Sequence, residues 1–208
     1  MAKYKFYFAH REFLTAFFVS IGLLCMSLIF NFYAGSYATD SASNPVTDIV
    51  LNNIRTYDVD GIFIYGTMLF LGFLVLLSLL EPQRIPFIIK SIALFIAIRA
   101  VFVSLTHIGP FPTQLAINSS FLDKFSFGGD LFFSGHTGLP FLMALVFWEK
   151  LYLRILFIAS SVFIGVVVLM AHLHYSIDVL AAFFITYTIF HIAERLFKKD
   201  RKLFYQGL

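Results

Sequence analysis

Six stretches of about twenty apolar residues, at 13–33, 61–80, 86–106, 131–148, 151–171 and 177–197, set the first limit on this chain of 208 residues. Each comes close to the length a helix needs to cross the roughly 30 Å hydrocarbon core of a bilayer. Within that core every backbone N–H and C=O must be paired inside the segment, so runs of this kind fold as helices. The chain is 60% hydrophobic and only 13% charged, and no polar stretch is long enough for a soluble domain. The expectation is one all-α integral membrane domain over 1–208 with six transmembrane helices.

Charge gives the orientation. Twelve of the fifteen Lys and Arg fall in the N-terminal tail (Lys3, Lys5, Arg11), the second loop (Arg84, Lys90), the fourth loop (Lys150, Arg154) and the C-terminal tail from Arg195 to Lys202. The odd-numbered loops hold only Arg55 and Lys124. Basic residues collect on the cytoplasmic side, so the reading is N-in, C-in. The net charge of +3 is explained by this sorting, and no nucleic acid is expected as a partner. The first span, preceded by bases and followed by "AGSYA", could be read as a signal peptide, but its apolar run is of spanning length and an uncleaved helix is expected. Cys25, the one cysteine, excludes an intrachain disulfide, and its apolar surroundings suggest a small buried side chain.

Two polar interruptions fall on the outer side: 34–60, where "LNNI" could form one helical turn, and 107–130, with Pro110, Pro112, Gly128 and Gly129. The topology then brings "GGDLFFSGHTGLPF" at the start of the fourth span and "HLHYSID" at the start of the sixth to one face, with Arg99 about two turns below it.

These residues suit phosphoryl chemistry. His174 and Asp178, at i and i+4, share a face if both are helical. A carboxylate accepting from Nδ1 would fix the tautomer, leave Nε2 as a nucleophile and stabilise the charge that develops as the ring attacks phosphorus. His136 would protonate the leaving alcohol. Ser134 and Gly135 precede a helix whose first N–H groups and dipole favour an anion, and Arg99 adds a planar, permanently charged donor. Asp130 would orient this phosphate-binding set. Each feature also has a plainer reading. Ser134 can be a helix cap, Arg99 a structural partner of Asp48, Asp60 or Asp130, His191 a packed side chain, and His10 and His107 interfacial. A metal held by His172, His174 and Asp178 is disfavoured, because i and i+2 point apart on a helix; no metal or cofactor is expected.

"GGDLFFSGHT" together with "HLHYSIDVLAAFFITYTIFH" resembles the sphingomyelin synthase and sphingomyelin-synthase-related family, whose motifs are C-G-D-x-x-x-S-G-H-T and H-Y-T-x-D-V. "RAVFVSLTHIGPFP" looks like the arginine, threonine and proline motif that precedes them, and "NPVTDI" at 44–49 echoes the first, Asp-ending motif. That family lies within the type 2 phosphatidic acid phosphatase superfamily. The resemblance implies a six-helix membrane fold, His174 as nucleophile, Asp178 as its orienter, His136 as general acid/base and no metal. It also implies a phospholipid donor and a lipid alcohol acceptor of diacylglycerol or ceramide type, or water. Gly128, Ser176 and Leu173 depart from the family's cysteine, threonine and acidic residue, so the reaction chemistry carries over better than the headgroup.

The leading expectation is transfer of a phospho-headgroup between lipids at the non-cytoplasmic face, with a bacterial inner membrane as the setting and a second copy of the chain as an admissible partner. The rival is a lipid phosphate phosphatase or phospholipase C-type hydrolase with water as acceptor; "GVVVLMAHLH" lacks the arginine expected of such phosphatases, which favours a diester substrate. A non-catalytic lipid-binding protein would tolerate loss of His174. A transporter would show paired broken helices, which the sequence lacks.

Overall fold

The computed structural model describes residues 2–115 and 131–207, and among them there are helices, turns and no strand. In chain order these are α1 (Ala2–Ala9), α2 (Arg11–Asp40), α3 (Asp60–Leu80), a 3-10 turn (Pro82–Arg84), α4 (Ile85–Leu105), α5 (Gly135–Val146), α6 (Leu151–Met170), α7 (Ser176–Leu196) and α8 (Lys198–Gln206). Five of them, α2, α3, α4, α6 and α7, are long and apolar enough to cross a membrane. The chain is a multi-pass helical membrane protein.

The sixth expected span differs from its reading. Helix α5 has 12 residues, about 18 Å, because Leu131–Phe133 stay non-helical and Ser134 caps the helix by accepting from the Thr137 N–H at 3.4 Å. Pro140 within it has no N–H to give to the carbonyl of His136. It still counts as a crossing. The Tyr4 hydroxyl donates to the Leu79 carbonyl at 2.6 Å, Lys90 of α4 meets Asp200 of α8 at 2.7 Å, and a Cβ on Gly207 would stand 2.7 Å from the Tyr7 hydroxyl. Both termini therefore meet the α3–α4 turn at one end, which requires an even number of crossings.

Helix α2 runs to Asp40, seven residues past the expected end at 33. Ala34 and Ala38 are buried against Ala100 and Val103 of α4. Small side chains let two helices approach closely in lipid, and that packing holds "AGSYATD" in the helix. Cys25, expected to be buried, is exposed on this helix: it lies on a face that no other described element covers.

Helix α4 is the most buried of the long helices. Phe87 and Phe95 of α4 pack with Phe133, Phe147 and Phe157 in the principal cluster, where close contact rather than exclusion of water supplies the energy. Gly138 brings α5 against its neighbours, since a Cβ there would stand 2.8 Å from Phe95 and from Thr186. Beyond the expected spans, α8 folds back onto the bundle. Asp200 is buried with Lys90, and Arg201 donates to the Val146 carbonyl at the end of α5 (3.0 Å) and pairs with Glu194 at 3.1 Å.

Candidate active site

At the opposite end, the loops are tied to the start of α7. The turn at 49–54, where "LNNI" was expected to form one helical turn, is closed by Asn52 N–H to Asp48 C=O at 2.9 Å and Ile54 N–H to Val50 C=O at 3.1 Å. Asp48 organises it. One carboxylate oxygen accepts from the Val50 and Leu51 amides at 2.8 and 3.0 Å. The other accepts from the Ser176 amide and hydroxyl at 2.7 and 2.8 Å. Burial alone would raise this carboxyl, but the amides of Leu51, Ser176 and Val50 and the Ser176 hydroxyl outweigh it and hold it below its ordinary value. The tyrosine beside Ser176 completes the knot: the Tyr175 hydroxyl donates to the Gly109 carbonyl at 2.8 Å and accepts from the Val46 amide at 3.2 Å. Burial pushes that phenol up and keeps it a donor.

His174 lies in the turn before α7 and not on the helix, which corrects the expectation of a shared helical face. Tyr175 is the N-cap and Asp178 the third helical residue. The buried Asp178 turns one oxygen back to accept from the Tyr175 amide at 2.9 Å, and this turn leaves His174 Nδ1 3.6 Å from the same oxygen. The hydrogen bond of Nδ1 goes instead to the Leu131 carbonyl, at 2.9 Å. A carbonyl only accepts, so Nδ1 carries a proton, and in the neutral ring Nε2 keeps its lone pair. The carboxyl of Asp178 stands beside the ring without bonding to it. Its second oxygen is buried without a hydrogen-bond partner among the described residues.

His136, the second residue of α5, rests on the Phe63 ring of α3 with centroids 4.6 Å apart. His174 and Arg99 lie within electrostatic reach of its ring. Arg99, buried in α4, donates from Nε to the Phe133 carbonyl at 2.8 Å. The guanidinium passes over Gly135, where a Cβ would stand 3.1 Å from Nε, so a larger residue would press Arg99 back by a few tenths of an ångström.

Arg99, Gly135, His136 and His174 line one cavity of about 330 Å³, closed on another side by Phe63 and Thr67 of α3. The structure thus brings four of the expected residues together. Ser134 and Asp178 are fully buried behind them. The Ser134 amide donates to the Asp178 carbonyl at 3.2 Å, joining the two motifs through their backbones. Asp130 lies outside the described residues. His172 is drawn away from this set: its Nδ1 faces the Thr113 and Thr56 hydroxyls, at 2.5 and 3.3 Å. Burial holds its imidazole below the ordinary value, partly offset by Asp48. Among the described residues no group of three His, Cys, Asp or Glu is placed to share a metal ion.

Asp48, expected only as a possible partner of Arg99 and as the aspartate of "NPVTDI", instead ties its loop to Ser176. Thr67 was missed, with no signal beyond a hydroxyl within an apolar span.

Residues 128–195, about a third of the chain, match the family described as PAP2 superfamily C-terminal. The match takes in His136, His174 and Asp178 and supports the type 2 phosphatidic acid phosphatase superfamily, whose members are phosphatases acting on lipid phosphates. It supports an enzyme of lipid phosphatase or phosphotransferase type. No curated protein and no solved structure matches the chain significantly.

Proposed function

We propose that the protein is a lipid phosphotransferase that moves the phospho-headgroup of a phospholipid to a lipid alcohol through a phosphohistidine. The observation that carries the reading is the polarised His174: its Nδ1 proton is committed to the Leu131 carbonyl, and it lines a cavity shared with His136 and Arg99.

In the first step His174 Nε2 attacks the phosphorus, the bond from phosphorus to the leaving lipid oxygen breaks, and His136 gives that oxygen a proton. In the second, His136 takes the proton from the acceptor hydroxyl, whose oxygen attacks phosphorus as the N–P bond breaks, restoring His174. Asp178 balances the positive charge on His174 while the phosphate is attached. Arg99 contributes a permanent positive charge, and the α5 N-terminus at Gly135 contributes amides, toward the phosphate oxygens. Ser134 supports that seat as the helix cap, and Asp130, beside it in sequence, is assigned an orienting role. The basic ends of the chain favour a site on the non-cytoplasmic face.

A second reading, hydrolysis, is favoured by the superfamily's phosphatases and uses the same residues with water as acceptor. The two are separated by lipid mass spectrometry on the purified chain in phospholipid vesicles containing diacylglycerol and ceramide, beside His174→Ala. A headgroup moved to either acceptor, with His174 present only, is the expected result. Inorganic phosphate from phosphatidic acid, or a free phospho-headgroup, makes water the acceptor; equal product from His174→Ala overturns both.

A further inference from the structure

A second cavity, of about 340 Å³, opens on the membrane-facing side between α3 and α6 and is walled by Leu69, Phe73, Leu156, Phe163 and the backbone of Gly66. Phe70 and Ile164 line both this groove and the cavity that holds His136 and His174, so the two adjoin across these side chains. The two differ in chemistry: the first carries Arg99 and both histidines, whereas Ser160 is the one polar side chain of the second. A molecule filling both would be charged at one end and apolar at the other.

Two residues on adjacent positions of α3 mark the junction. Thr67 lines the polar cavity, and its hydroxyl oxygen is buried with no hydrogen-bond partner among the described residues. A buried hydroxyl left unpaired costs free energy that a ligand acceptor would recover. Gly66 lines the groove, and a Cβ there would meet nothing within 4 Å. Glycine inside a helix costs about 0.5–1 kcal/mol relative to alanine, and no close helix contact at Gly66 requires it. Its effect is to leave the groove open. Gly72, on the same helix, is equally unhindered but lines neither cavity.

We infer that the α3–α6 groove holds one acyl chain of the phospholipid whose headgroup occupies the histidine cavity, with the Thr67 hydroxyl donating to an ester carbonyl at the junction and Gly66 setting the room for the chain. The identity of the ligand as a phospholipid rests on the phosphotransfer reading. Helix α3 suits the task, being the least buried of the five long helices, so its wall can adjust to a chain without opening the core.

The test compares Gly66→Phe, Gly72→Phe and Thr67→Val with the unaltered chain. Native mass spectrometry, on protein extracted in detergent and supplied with dioleoylphosphatidylcholine, reads the fraction carrying one lipid. The expected result is a lipid-bearing fraction reduced at least tenfold by Gly66→Phe and about fivefold by Thr67→Val, with Gly72→Phe equal to the unaltered chain. In parallel, the ratio of headgroup release from dioleoyl over dihexanoyl phosphatidylcholine should fall at least tenfold in Gly66→Phe. Retention unaffected by Gly66→Phe, an equal loss in Gly72→Phe, or no lipid retained by the unaltered chain would each overturn the groove. Lipid retained and lost as expected, but with no headgroup released from either donor, overturns the phosphotransfer reading and leaves the groove as a lipid site.

Discussion

His174 gives its Nδ1 proton to the carbonyl of Leu131, 2.9 Å away, while the carboxylate of Asp178 stands 3.6 Å from the same nitrogen. The carbonyl fixes a proton on Nδ1, and the carboxyl stands beside the ring without bonding to it. Asp178 holds a second duty as the acceptor for the Tyr175 amide, so charge and cap can be separated by mutation.

Asp178→Asn keeps an oxygen for the Tyr175 amide and removes the charge beside His174. Turnover should fall about 10²–10⁴-fold, as expected for a group that supports an acid–base and nucleophilic pair, with the melting temperature of the purified protein nearly unchanged. Asp178→Ala should lose turnover and also about 1 kcal/mol of stability with the cap. Parallel assays of lipid turnover and thermal unfolding check this; an active Asp178→Asn would remove the carboxylate from the mechanism.

Gly135→Ala would put a methyl 3.1 Å from Arg99 Nε. Arg99 must give by a few tenths of an ångström at the α5 N-terminus, so turnover should drop at least tenfold while unfolding moves by about 1 kcal/mol or less. Turnover equal to that of the unaltered chain would show that Arg99 need not sit over Gly135.

Asp48 predicts a pH effect. Its carboxyl is held below the ordinary value of 3.8, so the stability it contributes is full above that value and is lost as pH falls through the folded one. Thermal unfolding from pH 6 down to pH 2.5 should show a loss in the unaltered chain that Asp48→Asn does not share, the variant being less stable at pH 6. Identical pH profiles would mean that the bridge to Ser176 contributes nothing.

The Lys90–Asp200 pair is buried at both partners. Lys90→Met or Asp200→Leu alone leaves an unpaired buried charge and should destabilise by about 3–5 kcal/mol, whereas the double change should recover most of the loss. A double-mutant cycle of unfolding in detergent measures it; additive losses would place the pair in effective contact with water.

Hydropathy located most of the bundle. The expected spans 61–80, 86–106, 151–171 and 177–197 differ from α3, α4, α6 and α7 by about a residue at each end, because apolar length is what a bilayer selects. It failed where packing or capping decides. Ala34 and Ala38 extend α2 through their fit to α4, and Ser134 rather than the first apolar residue starts α5. The cavity residues Arg99, Gly135, His136 and His174 were legible because each is costly or unusual within an apolar chain. The bridge from Asp48 to Ser176 was not, since it links positions 128 residues apart through a loop whose path periodicity does not describe. Nor was the choice of Leu131 over Asp178 as acceptor, which depends on His174 leaving the helix.

The clasp made by α8 has a consequence for traffic. Lys90 with Asp200, and Arg201 with Val146 and Glu194, bolt the end of the bundle remote from the histidines. A carrier that exposes its cargo first to one compartment and then to the other would have to break a buried ion pair in every cycle. A reaction confined to the histidine end can run with this bolted floor left in place.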